Sequence, residues 1–144
     1  MNKPFYTMIM SFSLVALLMA CSTAPKDVTR WYSLEQVATG KPLYAKHCAG
    51  CHGPNGEGAT NSDTQLPNGS YPPQPLNGSG HSWHHSLSNL EETIKKGGQH
   101  PGATMPGFGH VLNHDERIAV VAAFQSDWDD KTYRGWLRRG GRLD

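Results

Sequence analysis

The chain has 144 residues, 17% of them charged, with 13 Lys+Arg against 12 Asp+Glu. That length suits one domain rather than two. The near-even charge excludes a nucleic-acid binder, which would carry a basic excess.

The opening stretch stands apart from the rest. Lys3 gives a positive start, and Phe5 to Ala20 is largely apolar and uncharged. The run is too short and too weakly flanked for a transmembrane helix and reads as a secretory signal over residues 1–20. Without Lys3, acids and bases in the remaining chain cancel. There are three cysteines, Cys21, Cys48 and Cys51, and an odd count in an exported chain needs a reason. Leu18-Met19-Ala20-Cys21 resembles the lipobox of bacterial lipoproteins, in which the cysteine thiol is acylated and the signal is cut before it. Leu18 and Ala20 fit that pattern; Met19 stands where a small residue is usual. Two or three acyl chains hold a protein to a bilayer where one does not. The alternative is an ordinary cleaved signal with a stray cysteine. Residues 21–32 are mostly polar and read as a tether from a lipid-anchored Cys21 to the folded part.

Ser33 and Gln36 form a capping-box start, and a helix from there can run to about His47. Pro42 lacks an N–H, so either the helix kinks there or its well-formed part begins near Gly40. Gly40 and Tyr44, four apart, share a face.

Cys48-Ala49-Gly50-Cys51-His52 is a C-x-x-C-H motif. Its two thiols can add across the two vinyl groups of a haem, which places His52 beneath the iron as a ligand. A redox dithiol would need a thioredoxin-like βαβ setting, which is missing. A zinc site would need further cysteines or paired histidines at ligand spacing.

Gly53 to Ser82 is rich in Gly, Pro, Asn and Ser. So long an irregular segment argues against a compact domain unless it wraps a cofactor that supplies the core. His81, His84 and His85 flank Trp83. They can form a haem-edge loop or, alternatively, a surface copper or zinc site. Ser88 to Glu91 is a second capping box. It starts a helix with Leu90 and Ile94 on the buried stripe, Lys95 and Lys96 in the last turn, and Gly97-Gly98 as the stop.

Of five methionines, Met1, Met8, Met10 and Met19 lie in the leader, which leaves Met105 as the sole thioether of the mature chain. Pro106 and Gly107 hold it in a stiff turn. Met105 is therefore the expected second axial ligand. The alternative makes it core filler, with His100 or His110 on the iron. Met ligation opposite a histidine raises the reduction potential and closes both axial positions to substrate.

Asn113 to Glu116 is a third helix start, and Ile118 to Phe124 follows without a polar residue, as in a helix buried on most sides. From Lys131 to Asp144 there are five basic residues and one acid. Residues 129–144 read as a solvated basic extension with Trp136 tucked against the domain; the alternative is docking on an anionic surface. No alternating strands are evident, so the class is all-α, with three to five helices around one haem c.

The motif Cys48–His52, the spacing to Met105 and the helix pattern resemble class I cytochromes c. The nearest group is that of bacterial mono-haem proteins related to cbb3-oxidase cytochrome subunits, and the likeness covers roughly residues 33–128. It implies that Gly40 and Tyr44 let the first helix cross closely over the last, with Phe124 as the aromatic in that crossing. It implies that a loop carbonyl accepts the Nδ1–H of His52. The family pattern Pro-x-Leu becomes Gln74-Pro75-Leu76 here, which leaves Pro73, Gln74 and Pro75 all open. It also implies that the Trp83 indole, or an adjacent histidine, reaches a haem propionate.

The expected activity is single-electron transfer between extracytoplasmic redox partner proteins by a monomer held to a membrane through Cys21. No residue is given an acid, base or nucleophile role, and no nucleic acid is expected as partner. Two other classes remain open: a haem sensor or enzyme with an open distal site, and a copper-binding accessory module.

Overall fold

The computed structural model describes residues 28–142. The leader, Cys21 and the first part of the tether lie outside the described residues. Five α-helices and one 3₁₀ turn account for the regular structure among those residues, with no strand. The class is therefore all-α, as expected.

Helix α1 spans Leu34–His47. Ser33 Oγ accepts from Gln36 N and Gln36 Oε1 accepts from Ser33 N, at 3.1 and 2.9 Å, so the capping box is complete. The helix neither breaks at Pro42 nor starts late at Gly40. Ala38, whose carbonyl loses its partner to the proline, is exposed, and so is Pro42. Water can take the place of the missing N–H, which is why the substitution is tolerated on this face. Helix α2, Ala49–His52, carries the C-x-x-C-H motif from its N-cap, Cys48, onward.

Helix α3 runs over Leu87–Lys96 and is capped by Ser86, whose Oγ accepts from Asn89 N at 3.2 Å. The cap expected at Ser88 is thus two residues late. Ser88 sits in the first turn, with its Oγ 3.0 Å from that of Ser86. Helix α4, His114–Gln125, starts from Asn113 with the second complete capping box. From Ala119 to Gln125 every residue is buried, as expected of an element packed on most sides.

The crossing of α1 over α4 is the centre of the fold. A Cβ on Gly40 would stand 1.9 Å from the Ala119 carbonyl oxygen and 2.9 Å from Ala123 Cβ. Gly40 therefore lies directly on the α4 backbone. The residues it meets are small ones; Phe124 lies beside them, lining one cleft with Lys41, Tyr44 and Ala45 of α1 and with its ring centroid 6.2 Å from that of Trp128.

The C-terminal part departs most from expectation. Asp130–Arg138 is helix α5, capped by Asp129, and residues after 128 do not form a merely solvated extension. Tyr133 and Trp136 are both fully buried, and Trp128 is 2% exposed. Trp136 is tucked in as expected, and its Nε1–H donates to His85 O at 2.8 Å. The chain before α1 is not free tether either. Arg30 pairs with Asp130 at 2.8 Å, and Trp31 N–H donates to the Tyr133 hydroxyl at 2.8 Å. The Trp31 indole donates to Gln125 Oε1 at 2.6 Å. Aromatic burial of this kind outweighs the mobility that polar composition suggests.

A buried ion pair joins α3 to α4. Arg117 Nε donates to Glu91 Oε1 at 2.5 Å, and Arg117 also donates to the Leu112 carbonyl. Both side chains are about nine-tenths buried. Glu91→Ala is expected to lose about 3–5 kcal/mol of stability, because the guanidinium is left charged and largely dry. Denaturant unfolding of the two proteins measures this; a midpoint unchanged from wild type would mean that Arg117 reaches water.

Candidate haem site

Helix α1 delivers the motif. Tyr44 is buried, and its hydroxyl donates to Gly53 O at 2.9 Å, tying α1 to the far end of α2. Burial pushes that hydroxyl up to about 12, so it stays a donor across ordinary pH. Cys48 is buried and Cys51 exposed, and no disulfide joins them. Burial pushes the Cys48 thiol up to about 11. That is opposite to the depressed value of an activated redox dithiol.

His52 follows on α2. Its Nδ1 lies 2.7 Å from Gln74 O. A carbonyl only accepts, so Nδ1 carries the proton and Nε2 keeps its lone pair. Burial lowers the imidazole's basicity, partly offset by that carbonyl. Of the three loop carbonyls open in the sequence, Gln74 is the one that bonds. The loop around it is pinned at several points. Ala59 N–H donates to Pro73 O at 2.9 Å and Leu76 N–H to Gly56 O at 2.7 Å. Gln74 Nε2 donates to Ser62 O at 2.6 Å. Gly58, at φ +62°, lets the strands of the loop close up: a Cβ there would stand 2.5 Å from Pro75 N and 2.7 Å from Gln74 C. No L side chain fits that position without moving the carbonyl that orients His52.

Met105 comes from the loop after α3, and backbone contacts stitch that loop to the helix end. Gly98 N–H donates to Met105 O at 3.0 Å, Phe108 N–H to Ile94 O at 2.8 Å, and Gly109 N–H to Lys95 O at 3.0 Å. Gly97, at φ +85°, ends α3 and would place a Cβ 2.5 Å from Met105 O. The glycine stop is therefore also what allows the Met105 loop to approach.

Cys48, Cys51, His52 and Met105 all line one cavity of about 1180 Å³. That exceeds the roughly 300–1,000 Å³ typical of small-ligand pockets. Leu76, Leu90, Pro106 and Phe108 supply apolar wall. A large flat apolar group with a metal at its centre fits these residues: two thiols on one short helix, an imidazole with a free Nε2, and a thioether on the facing loop.

The other expected residues divide. His100 lines the cavity with Met105, whereas His110 does not. His81 and His85 line it too, but Trp83 does not. The Trp83 ring lies 4.9 Å under the Arg139 guanidinium and against Gly135, facing α5 rather than the cavity. Among the described residues no group of three or more His, Cys, Asp or Glu could hold a separate metal ion. His81 is instead paired with Asp63 at 3.3 Å. The sequence leaves Gln74 level with Pro73 and Pro75, and nothing in it marks Ser82, between His81 and Trp83, as a cavity residue.

Among the described residues no helix is long and apolar enough to cross a membrane. Searches of curated proteins and of solved structures found no match. A family model does match: cytochrome C oxidase, cbb3-type, subunit III, over residues 35–124. That span runs from the first turn of α1 to the end of α4 and includes both the C-x-x-C-H motif and Met105. The chain belongs to this cytochrome c family, which implies a covalently attached haem c and a part in electron transfer.

Proposed function

We propose that the protein is a one-haem electron carrier, with thioether bonds from Cys48 and Cys51 and axial ligation by His52 and Met105. The observation that carries this reading is the shared cavity: an imidazole with its Nδ1–H committed to Gln74 O and the sole thioether beyond the leader line the same apolar space. Bound there, haem supplies one-electron exchange between Fe(II) and Fe(III).

The chain's own residues keep that exchange simple. His52 offers Nε2 in a fixed orientation, because Gln74 holds the other nitrogen. The backbone of the Met105 loop is held to the end of α3 by hydrogen bonds that do not involve the sulfur, so the thioether is offered from a fixed loop. With His52 and Met105 both on the iron, no axial position would be left for a substrate. Leu76, Leu90 and Phe108 keep water from the ring. No acid, base or nucleophile is assigned.

Cytochrome c domains are extracytoplasmic in general. In the full reading, residues 1–20 are a secretory signal and Cys21 carries a lipid. The mature protein is then a membrane-tethered monomer that meets its redox partners in small, short-lived encounters.

The purified holoprotein tests this. The pigment is expected to stay with the polypeptide in acidic organic solvent. The oxidised form is expected to show a sulfur-to-iron charge-transfer band at the red edge. The reduced form is expected not to bind carbon monoxide. Extractable pigment would sink the thioether assignment. Carbon monoxide binding without the charge-transfer band would favour a sensor or enzyme with an open distal site.

A further inference from the structure

We propose that the outward face of helix α5, built on Lys131, Arg134 and Arg138, rests on the anionic phospholipid headgroups of the membrane that holds Cys21. The inference deepens the tethered-carrier reading and rests on it.

Charge is divided unevenly along the chain. Residues 34–128 hold five Lys and Arg against eight Asp and Glu, whereas residues 129–142 hold five against two. Within α5 the basic residues are also sorted by face. Lys131, Arg134 and Arg138 are spaced three and four apart, so they form one stripe, and all three are exposed. Tyr133 and Trp136, both fully buried, occupy the opposite side. The two acids at this end are already engaged. Asp129 caps the helix by accepting Thr132 N–H at 2.7 Å, and Asp130 is held by Arg30 at 2.8 Å, with Arg134 at 3.7 Å. Among the described residues neither Lys131 nor Arg138 forms a salt bridge, so the stripe keeps positive charge for an outside partner.

The start of the fold brings this face to the membrane. Arg30 and Trp31 are clamped on α5, through Asp130 and the Tyr133 hydroxyl. Nine peptide steps link Cys21 to Arg30, a reach of at most about 30 Å. A lipid on Cys21 therefore keeps α5 within that distance of the bilayer, and the face meets headgroups as part of one assembly rather than by free diffusion.

The chemistry of the face favours headgroups over a protein. Protein interfaces centre on buried aromatic anchors, and α5 turns its aromatics inward, leaving Leu137 as its exposed large apolar side chain. A basic stripe on an amphipathic helix beside a lipid anchor is what anionic phospholipid attracts. No residue of α5 lines the haem cavity, so this contact and the electron-transfer site use separate residues.

Holoprotein with Cys21→Ser, exported by a signal that needs no acylation, tests the face without the anchor. It is mixed with vesicles of phosphatidylcholine alone or with phosphatidylglycerol added, and bound pigment is read after sedimentation. Binding is expected on the anionic vesicles only, and is expected to fall as salt rises. Each basic residue near such a surface strengthens binding about fivefold, so Lys131→Gln/Arg134→Gln/Arg138→Gln should weaken it about a hundredfold. Lys41→Gln/Lys46→Gln/Lys96→Gln removes the same charge elsewhere on the surface and should weaken it far less. The sulfur-to-iron band should persist in every variant. No binding to the anionic vesicles, or equal losses in the two triple variants, would overturn the proposal. Binding to polyglutamate without binding to the vesicles would also overturn it, in favour of an acidic protein partner. Mass spectrometry of the wild-type mature chain reads the lipid on Cys21, and acidic solvent extraction reads the haem. Failure of the tethered-carrier reading is thereby seen apart from failure of the face.

Discussion

Met105→Ala is expected to abolish the sulfur-to-iron band, to open the reduced protein to carbon monoxide and to lower the midpoint potential. The drop should be on the order of 0.1–0.3 V, within the roughly 0.8 V over which axial ligands tune haem proteins. A thioether is a weak donor that favours Fe(II); water or a second imidazole favours Fe(III). No other thioether stands near it in sequence, since the remaining methionines all fall within residues 1–19. His100 lines the same cavity, and its Nδ1 lies 3.1 Å from Pro101 O. It is therefore the natural competitor, and His100→Ala is the paired control. If Met105 is the ligand, His100→Ala leaves spectrum and potential unchanged. If His100→Ala removes the low-spin spectrum and Met105→Ala does not, the ligand is the imidazole and the electron-carrier reading loses its high potential. The backbone of the Met105 loop is tied to α3 at Gly98, Phe108 and Gly109, so the truncation should leave the loop in place. Any loss of stability can be read separately by thermal unfolding.

What the sequence made legible follows the range of the interactions involved. The C-x-x-C-H motif is contiguous and its chemistry is local, so residues 48–52 could be read directly. Helices α1 and α4 announce themselves by capping boxes in which both hydrogen bonds span three residues. The expectation for Met105 comes from counting methionines, and that residue does line the cavity with His52. The loop from 53 to 81 is different, because Gln74 is chosen over Pro73 and Pro75 by contacts with Gly56, Gly58, Ala59 and Ser62, and no local pattern encodes them. Trp83 shows the same limit. The resemblance sends its indole to the cofactor, whereas its ring lies 4.9 Å from the Arg139 guanidinium and outside the cavity lining, a placement set by long-range contact with α5. Helix α5 was hidden by charge, since five basic residues suggested a solvated segment. The signal that could have found it is the spacing of Trp128, Tyr133 and Trp136 around an Asp129 cap whose carboxylate accepts Thr132 N–H at 2.7 Å. Those aromatics need a long-range face to bury, and residues 30–32 and the 3₁₀ turn supply it.

The second large effect belongs to the helix crossing. Gly40→Ala should cost about 3 kcal/mol of folding free energy, despite the gain of roughly 0.5–1 kcal/mol that alanine brings inside a helix. The new methyl would sit 1.9 Å from a backbone oxygen of α4, and no rotamer change relieves that contact. One helix must move, and α4 is held by a run of buried residues through Gln125. Movement of α1 carries Cys48 with it and strains the Tyr44–Gly53 bond, so the fault reaches the haem motif. At about 3–5 °C per kcal/mol for a domain of this size, the melting temperature should fall by roughly 10 °C. The double variant Gly40→Ala/Ala123→Gly distinguishes backbone contact from side-chain crowding. Removing Ala123 Cβ clears only the 2.9 Å contact and leaves the Ala119 carbonyl in place, so little stability should return. Full recovery in the double variant would mean that α1 and α4 cross on side chains alone, and the close backbone approach argued from Gly40 would fail.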